Sequence, residues 1–219
     1  MQIEGAIFDC DGTLVDSMGM WFSIMPELLA RHGFYNQEEI LDELEPLGIE
    51  EECHVLHNRL GVAESGAALY AELQEFIREE YAHNIHLFDG CREFLESLHE
   101  ARIPMVVASS TAVSEIDLCL RANGVRDYFS HIINTGEVGR SKEFPDVYYH
   151  AQELLGTPTE TTWVFEDAPF GVRTSHKAGF PNVCIFNKPD GRNPETLKPH
   201  RTIFSEGYSN VSLEKLQAL

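Results

Sequence analysis

Short apolar runs alternate with longer amphipathic segments through most of the chain, and this alternation constrains the fold more than any other feature. The runs have the length of strands, whereas the segments between them carry apolar residues at helical spacing. The predicted strands are IEGAIF, IPMVVA, HIINT, TTWVFED, NVCIFN and RTIFS. Strands that alternate with helices are typical of a parallel sheet with right-handed crossovers. We therefore predict an α/β fold, a Rossmann-like parallel sheet core with helices on both faces, in which RTIFS is an edge strand.

A long interval after the first strand has no strand pattern. Residues 16–86 contain four segments of helical periodicity, which are WFSIMPELLARHGF, QEEILDELEPLG, IEEECHVLHNRLG and AALYAELQEFIREEYA. We interpret this interval as an inserted α-helical cap domain and assign residues 1–15 and 87–219 to the core. Asp89 is predicted to be the N-cap of the first core helix after the insertion.

The chain is strongly acidic, with a formal charge of -20 over 219 residues. Between Asp16 and Phe88 there are 15 acidic and three basic residues, and no lysine precedes Lys142. Such a charge repels nucleic acid and anionic membranes. The five cysteines are widely spaced without a CxxC pair, and no apolar run approaches the ~20 residues of a membrane helix. We expect a reduced, cytoplasmic protein that is a monomer or a weak homodimer.

Polar residues follow several predicted strands at the point where each strand ends. These residues are Asp9, Asp11, Ser109, Ser110, Glu166 and Asp167, and Lys142 lies in a loop before a predicted helix. Parallel sheets place ligand sites beyond the carboxyl ends of their strands, so these groups are expected to converge. Each also has a simpler interpretation: the aspartate pair as a turn, Ser109 or Glu166-Asp167 as helix caps, and Lys142 as a solvated side chain.

If the groups converge, their chemistry fits phosphoryl transfer. Asp9 and Asp11 lie two residues apart and project to the same side of extended backbone, and carboxylates crowded together need a cation. Oxygen ligands without a Cys/His pattern favour Mg²⁺. Lys142 and the Ser109 hydroxyl add a positive charge and a donor, and Gly12 permits a tight turn. A metal, an ammonium group and a hydroxyl around a carboxylate suit an aspartyl-phosphate intermediate.

Four segments resemble, in order, the motifs of the haloacid dehalogenase-like (HAD) superfamily of phosphohydrolases. DCDGT resembles the signature DxDGT, and the other three are VVASS, GRSKEFPD and FEDAPFGV. The helical insertion is similar to the cap of the phosphoglycolate phosphatase and beta-phosphoglucomutase branch. The resemblance covers nearly the whole chain. It implies a Mg²⁺-dependent phosphatase of small phosphorylated metabolites.

The resemblance also implies a role for each candidate residue. Asp9 would be the nucleophile and Asp11 the general acid and base. Mg²⁺ would be held by Asp9, Asp167, the backbone carbonyl of Asp11, and Glu166 directly or through water. Ser109 and Lys142 would bind the phosphoryl oxygens, and the neighbouring Ser110 and Gly12 are further candidates for substrate binding.

Two alternatives remain open: a sugar phosphomutase of the beta-phosphoglucomutase type, and a non-catalytic binding protein with the same fold. The segment PLGIEEE, Pro46 to Glu52, resembles the part of the cap where beta-phosphoglucomutases carry an arginine for a second phosphate, but it contains three glutamates instead. Acidic residues there would disfavour a second phosphate. We therefore expect a monophosphate substrate whose remaining part is neutral or cationic.

Overall fold

A computed structural model of the protein describes residues 2–44, 47–186 and 194–218. The chain divides into two compact units, one of Met1–Ser17 with Ile85–Leu219 and one of Met18–Asn84. Within the described ranges no helix has the length and apolarity needed to cross a membrane. Some predicted segments extend beyond the described residues. Pro46, the first residue of PLGIEEE, and Asn187, the last residue of the predicted strand NVCIFN, lie outside them.

The larger unit is built on a parallel sheet of six strands in the order β3-β2-β1-β4-β5-β6. The strands are β1 (Gly5–Phe8), β2 (Met105–Ser109), β3 (Phe129–Asn134), β4 (Thr162–Glu166), β5 (Asn182–Phe186) and β6 (Ile203–Glu206). This is the doubly wound order: β2 and β3 extend the sheet on one side of β1, and β4, β5 and β6 extend it on the other. The predicted α/β fold is confirmed, and β6 is an edge strand as expected.

The smaller unit is helical. Its helices are α1 (Met18–Arg31), α2 (Glu38–Leu44), α3 (Ile49–Leu60) and α4 (Gly66–His83). Leu28, Leu56 and Leu69 from α1, α3 and α4 are fully or almost fully buried, so the apolar positions predicted from helical spacing form the core of this unit. Gly61 ends α3 in the left-handed conformation, with φ of 70°.

The remaining helices belong to the sheet unit. They are α5 (Cys91–Glu100), α6 (Val113–Ala122), α7 (Thr135–Val138), α8 (Asp146–Leu155), α9 (Pro169–Lys177) and α10 (Leu213–Gln217), with 3-10 segments at Arg126–Tyr128, Thr159–Thr161 and Pro194–His200. Both faces of the sheet are covered. On one face Ile7 packs in a cluster with Tyr148 of α8. On the other, Phe8 stacks on Phe165 at 4.3 Å and contacts Phe94 of α5.

Local details differ from the sequence prediction in several places. β1 begins at Gly5 rather than Ile3, and the short helices α7 and α10 were not predicted. The prediction that Asp89 caps α5 was wrong. The N-cap is Gly90, whose φ of 80° is disfavoured by a β-carbon, and it makes no side-chain cap bond. The five cysteines are free and buried.

The contact between α3 and α4 depends on Gly66. A β-carbon at Gly66 would lie 2.5 Å from the Cα of His54 and 2.4 Å from its Nδ1. We expect Gly66→Ala to lower the free energy of unfolding by about 1–3 kcal/mol, because the two helices must separate. Gly19→Ala in α1 is the control, since nothing lies within 4 Å of its added methyl group, and it should be neutral or stabilising. Urea unfolding of both variants measures the difference, and an equal stability would contradict the packing argument.

Candidate active site

The sheet brings three of the polar strand ends together. β1 lies between β2 and β4 in parallel register, with Phe8 opposite Val107 on one side and Phe165 on the other. Asp9 follows β1, Ser109 ends β2, and Glu166 ends β4 directly before Asp167. Because the strand order reverses at β1, these residues lie at the switch point, where α/β sheets commonly bind ligands.

A buried ammonium group joins the two central strand ends. Lys142 Nζ donates to Asp9 Oδ1 at 2.5 Å and to Glu166 Oε1 at 2.7 Å, and the lysine is only 2% exposed. Burial opposes the charge of Lys142, but the carboxylates of Asp9 and Glu166 outweigh burial and raise its pKa. Lys142 is therefore a fixed positive charge at the end of the sheet and not a solvated side chain.

Asp167 adds a third carboxylate to the two that Lys142 contacts. Ligand oxygens of Asp9, Glu166 and Asp167 lie within 4.8 Å of one another, and all three residues are buried. Glu166 Oε2 is buried and has no hydrogen-bond partner in the described part of the chain. A hard divalent cation prefers such an oxygen-only donor set, and the unpartnered carboxylate oxygen is a ready ligand or water acceptor. The residues present therefore fit a bound divalent cation.

The ionisation of Asp9 reflects this surplus of negative charge. Burial raises the pKa of Asp9 to about 7 from 3.8; the Lys142 ammonium group lowers it without offsetting burial, and Glu166 and Asp11 raise it further. A divalent cation beside the carboxylate acts in the opposite direction to burial and favours the charged form. A cation at this cluster would thus keep Asp9 ionised near neutral pH.

Asp11 has different surroundings. Its Oδ1 accepts a hydrogen bond from Ser17 Oγ at 2.6 Å and its Oδ2 accepts one from Thr111 Oγ1 at 2.7 Å. Its carboxylate is not one of the three in the acidic cluster, where Glu166 takes that place. Asp9 and Asp11 therefore present separate carboxylates, one beside the ammonium group and one held by two hydroxyls.

The other predicted site residues occupy the same edge of the sheet. Ser109 is buried, and its Oγ accepts a hydrogen bond from Thr111 N at 3.1 Å. It is not a helix cap, since the N-cap of α6 is Ala112. Ser110 is exposed. Gly12 has a φ of 76° and donates its N–H to Val15 O, so it makes the tight turn predicted from sequence.

Glu166 and Asp167 are likewise not helix caps, because the N-cap of α9 is Ala168 and no side chain caps it.

Sequence reasoning missed five residues that surround the site, which are Thr13, Ser17, Thr111, Tyr148 and Gly171. Thr13 Oγ1 lies 3.3 Å from Asp9 Oδ2 and 3.4 Å from Asp167 Oδ1. Thr13 is the last residue of the segment DCDGT, so its place in that motif could have predicted that it lies at the site.

Tyr148 and Gly171 both adjoin Glu166. The Tyr148 hydroxyl donates to Glu166 Oε1 at 2.7 Å, and burial followed by the Glu166 charge raises the pKa of Tyr148 well above its usual range. A β-carbon at Gly171 would lie 2.5 Å from the carboxyl carbon of Glu166. Close packing of Gly171 in α9 therefore leaves just enough room for the buried carboxylate.

Comparison with known proteins identifies the family. Residues 6–185 match the family described as haloacid dehalogenase-like hydrolase. The chain is a haloacid dehalogenase-like hydrolase. Hexitol phosphatase A of Escherichia coli (strain K12) is 30% identical over 190 residues, which cover 86% of this chain and 85% of that protein. The phosphorylated carbohydrates phosphatase of Thermotoga maritima is 25% identical over 181 residues, covering 83% of this chain and 84% of that protein.

Solved structures agree on the fold of this hydrolase. A mutant of CbbY from Rhodobacter sphaeroides, in complex with xylulose-(1,5)bisphosphate, has a TM-score of 0.79 at 22% identity and covers 98% of this chain and 99% of that chain. The expected family is confirmed, and so is the expected class of enzyme, a hydrolase with phosphatases among its relatives.

Gly171 offers a direct test of the site geometry in this hydrolase. In Gly171→Ala the new methyl group must displace the Glu166 carboxylate from Lys142, since it would otherwise lie within 2.8 Å of both carboxylate oxygens. We expect phosphatase turnover to fall about 10–100-fold, the usual cost of disturbing groups around a metal site. Steady-state kinetics measures this loss, circular dichroism checks folding, and Gly19→Ala is the control. Unchanged kinetics in a folded Gly171→Ala protein would show that the position of Glu166 is unimportant.

Proposed function

We propose that this hydrolase is a Mg²⁺-dependent phosphatase that cleaves small phosphomonoesters through an aspartyl-phosphate on Asp9. The observation that carries the proposal is the buried ion pair of Lys142 with Asp9 at the switch point of the sheet, with Nζ 2.5 Å from Oδ1. A nucleophilic carboxylate must approach an anionic phosphoryl group, and an adjacent fixed cation reduces that repulsion. The phosphatases among the relatives support the same reaction class.

The acidic cluster is the proposed Mg²⁺ site. Asp9, Asp167 and the backbone carbonyl of Asp11 would hold the ion, with Glu166 bound directly or through water; the unpartnered Oε2 of Glu166 supports this assignment. When bound, Mg²⁺ supplies positive charge to the phosphoryl oxygens and favours the ionised form of Asp9. Lys142 and the Ser109 hydroxyl would bind the phosphoryl oxygens, with Ser110 beside them and Gly12 turning the backbone tightly at this edge.

The chain's own carboxylates can carry out both halves of the reaction. A carboxylate oxygen of Asp9 attacks phosphorus, the bond from phosphorus to the ester oxygen breaks, and the departing alkoxide takes a proton from the Asp11 carboxyl group. In the second half Asp11 accepts a proton from water. The water oxygen then attacks phosphorus, the acyl phosphate bond to Asp9 breaks, and inorganic phosphate leaves.

The helical unit is proposed to be a mobile cap, covering residues 16–86, with the core assigned to residues 1–15 and 87–219. Closure of a cap would exclude water during the first half of the reaction and admit it for the second. We further propose that the enzyme acts in the cytoplasm as a monomer or a weak homodimer, which agrees with its five free, buried cysteines.

The nucleophile can be tested with one conservative change. Asp9→Asn should abolish release of phosphate, because the amide is a poor nucleophile and cannot form the acyl phosphate. Asp16→Asn, a change of an exposed aspartate in the same segment, should leave turnover unchanged. Phosphate release from a panel of sugar and polyol monophosphates measures both variants. Substantial turnover by pure Asp9→Asn protein would refute the proposed mechanism.

Removal of metal tests the cation site on the same panel. EDTA should abolish the activity of the native enzyme and Mg²⁺ should restore it, whereas full activity in metal-free buffer would contradict the cation site.

The panel also separates the alternative functions. A phosphomutase would interconvert sugar phosphates without net release of phosphate. A non-catalytic binding protein would bind Mg²⁺ and turn over nothing on the panel. The buried Lys142–Asp9 pair argues against the last alternative, since a binding protein has no need of a desolvated nucleophile.

The charged residues of the helical unit support a proposal for the substrate class. All three arginines of the helical unit are engaged within that unit: Arg59 with Glu43, Arg78 with Glu75, and Arg31 over the ring of Phe76 at 3.7 Å. The loop after β2, residues 110–112, has no basic residue. Glu50 and Glu51 at the start of α3 are exposed. These features support a monophosphate whose remaining part is neutral or cationic, such as a sugar, a polyol or an amine-bearing alcohol.

A bisphosphate is the competing substrate class, since the CbbY structure holds xylulose-(1,5)bisphosphate. We expect the native enzyme to have the higher kcat/KM for the monophosphate of a matched pair, because like charges across a desolvated interface cost several kcal/mol. Glu51→Arg should shift the preference toward the bisphosphate by on the order of tenfold. Glu64→Arg makes the same charge change at another exposed position of the helical unit and is the control. A native preference for the bisphosphate, or equal shifts in the two variants, would contradict this assignment.

A further inference from the structure

The two carboxylate oxygens of Glu166 have unequal surroundings. Oε1 accepts two hydrogen bonds, from Lys142 Nζ and from the Tyr148 hydroxyl, each at 2.7 Å. Oε2 accepts none from the described residues, although Glu166 is completely buried. A buried carboxylate ordinarily distributes its donors over both oxygens, so a second donor on the occupied oxygen needs an explanation.

Tyr148 is held rigidly in its position. It is the third residue of α8, is 1% exposed, and packs in the cluster that includes Ile7, Val106 and Val164 of the sheet. Packing fixes the ring, and the hydroxyl at its end reaches the carboxylate of β4. An apolar ring would fill the same space, so the hydroxyl is the part of the side chain that packing does not require.

We propose that Tyr148 is a positioning residue that fixes the orientation of Glu166. In this orientation Oε1 accepts the hydrogen bond from Lys142, and Oε2 remains available to the bound cation or to a water on it. The inference rests on the proposed function in one respect, that the acidic cluster binds Mg²⁺. Without the hydroxyl, the terminal torsion of Glu166 is less constrained, and both of its oxygens can turn toward Lys142. The cation would then lose a ligand or water acceptor, and Lys142 would be drawn away from Asp9.

A role limited to stability predicts a different result. Loss of one buried hydrogen bond would lower the stability of the fold but leave the affinity for Mg²⁺ unchanged. The affinity of the substrate-free protein for Mg²⁺ therefore separates the two roles, and it is measured without any assumption about the substrate.

The experiment is a calorimetric titration of Mg²⁺ into native, Tyr148→Phe and Tyr149→Phe proteins without substrate. Tyr149 is the matched control, because it is the adjacent residue of α8 and its hydroxyl donates to the backbone oxygen of Ala178, at 3.2 Å, and not to Glu166. We expect Tyr148→Phe to bind Mg²⁺ about tenfold more weakly, as is typical when a partner of a metal ligand is removed. Tyr149→Phe should bind like the native protein. Equal affinities in folded Tyr148→Phe and native proteins would overturn the inference.

A double-mutant cycle shows whether Tyr148 acts through Glu166. In the Glu166→Gln background the additional change Tyr148→Phe should cost little further affinity, because the group that the hydroxyl orients has already been replaced. Additive losses would place the effect of Tyr148 elsewhere and refute the positioning role. A native protein that binds no Mg²⁺ would instead refute the cation site of the proposed function, and with it the role of Tyr148 there.

Discussion

The buried ammonium group of Lys142 is the interaction on which the rest of the site depends. A lysine with 2% exposure is tolerated only because carboxylates on two neighbouring strands face it. Asp9 and Glu166 can do so because β1 and β4 are adjacent and in parallel register, although the two residues are 157 positions apart in sequence. Breaking a buried pair of this kind typically costs about 3–5 kcal/mol, so the topology of the sheet and the electrostatics of the site are inseparable.

The same arrangement leaves negative charge in excess. Among the described residues three carboxylates cluster and Lys142 pairs with two of them, and the pKa of Asp9 rises to about 7 mainly because of burial. Apolar packing on both faces of the sheet, such as the stacking of Phe8 on Phe165, stabilises the strands whose ends hold this unfavourable cluster. The fold thus maintains a cluster of buried carboxylates whose oxygens fit a divalent cation.

Much of the architecture could be predicted from local sequence patterns. Alternating strands and helices predicted the parallel sheet, and four separated motifs predicted which strand ends carry the polar groups. The convergence of these groups at one edge of the sheet was predicted from the strand ends and the motifs, but contacts made by residues outside the motifs could not be, because no periodicity records them. Thr111 reaches Asp11 across 100 positions, and Tyr148 looks like any other core residue of α8 until its hydroxyl is placed beside Glu166. The prediction that Asp89 caps α5 was wrong for a local reason, because the adjacent Gly90 is the N-cap and adopts a left-handed backbone conformation there.

Selectivity in such an enzyme must come from a different source than catalysis. In the proposed mechanism Lys142, the carboxylates and the Ser109 hydroxyl contact only the phosphoryl group, so they would not distinguish one phosphomonoester from another. The remaining part of the substrate must be recognised by other residues. In the proposed function these include residues of the helical unit, whose charged side chains are mostly acidic and whose three arginines each have a partner within the unit. Acidic residues discriminate by repulsion, which rejects anionic groups while demanding little of a neutral sugar or polyol. Under the proposed function, this repulsion would let the enzyme accept several uncharged alcohols while disfavouring substrates with a second phosphate.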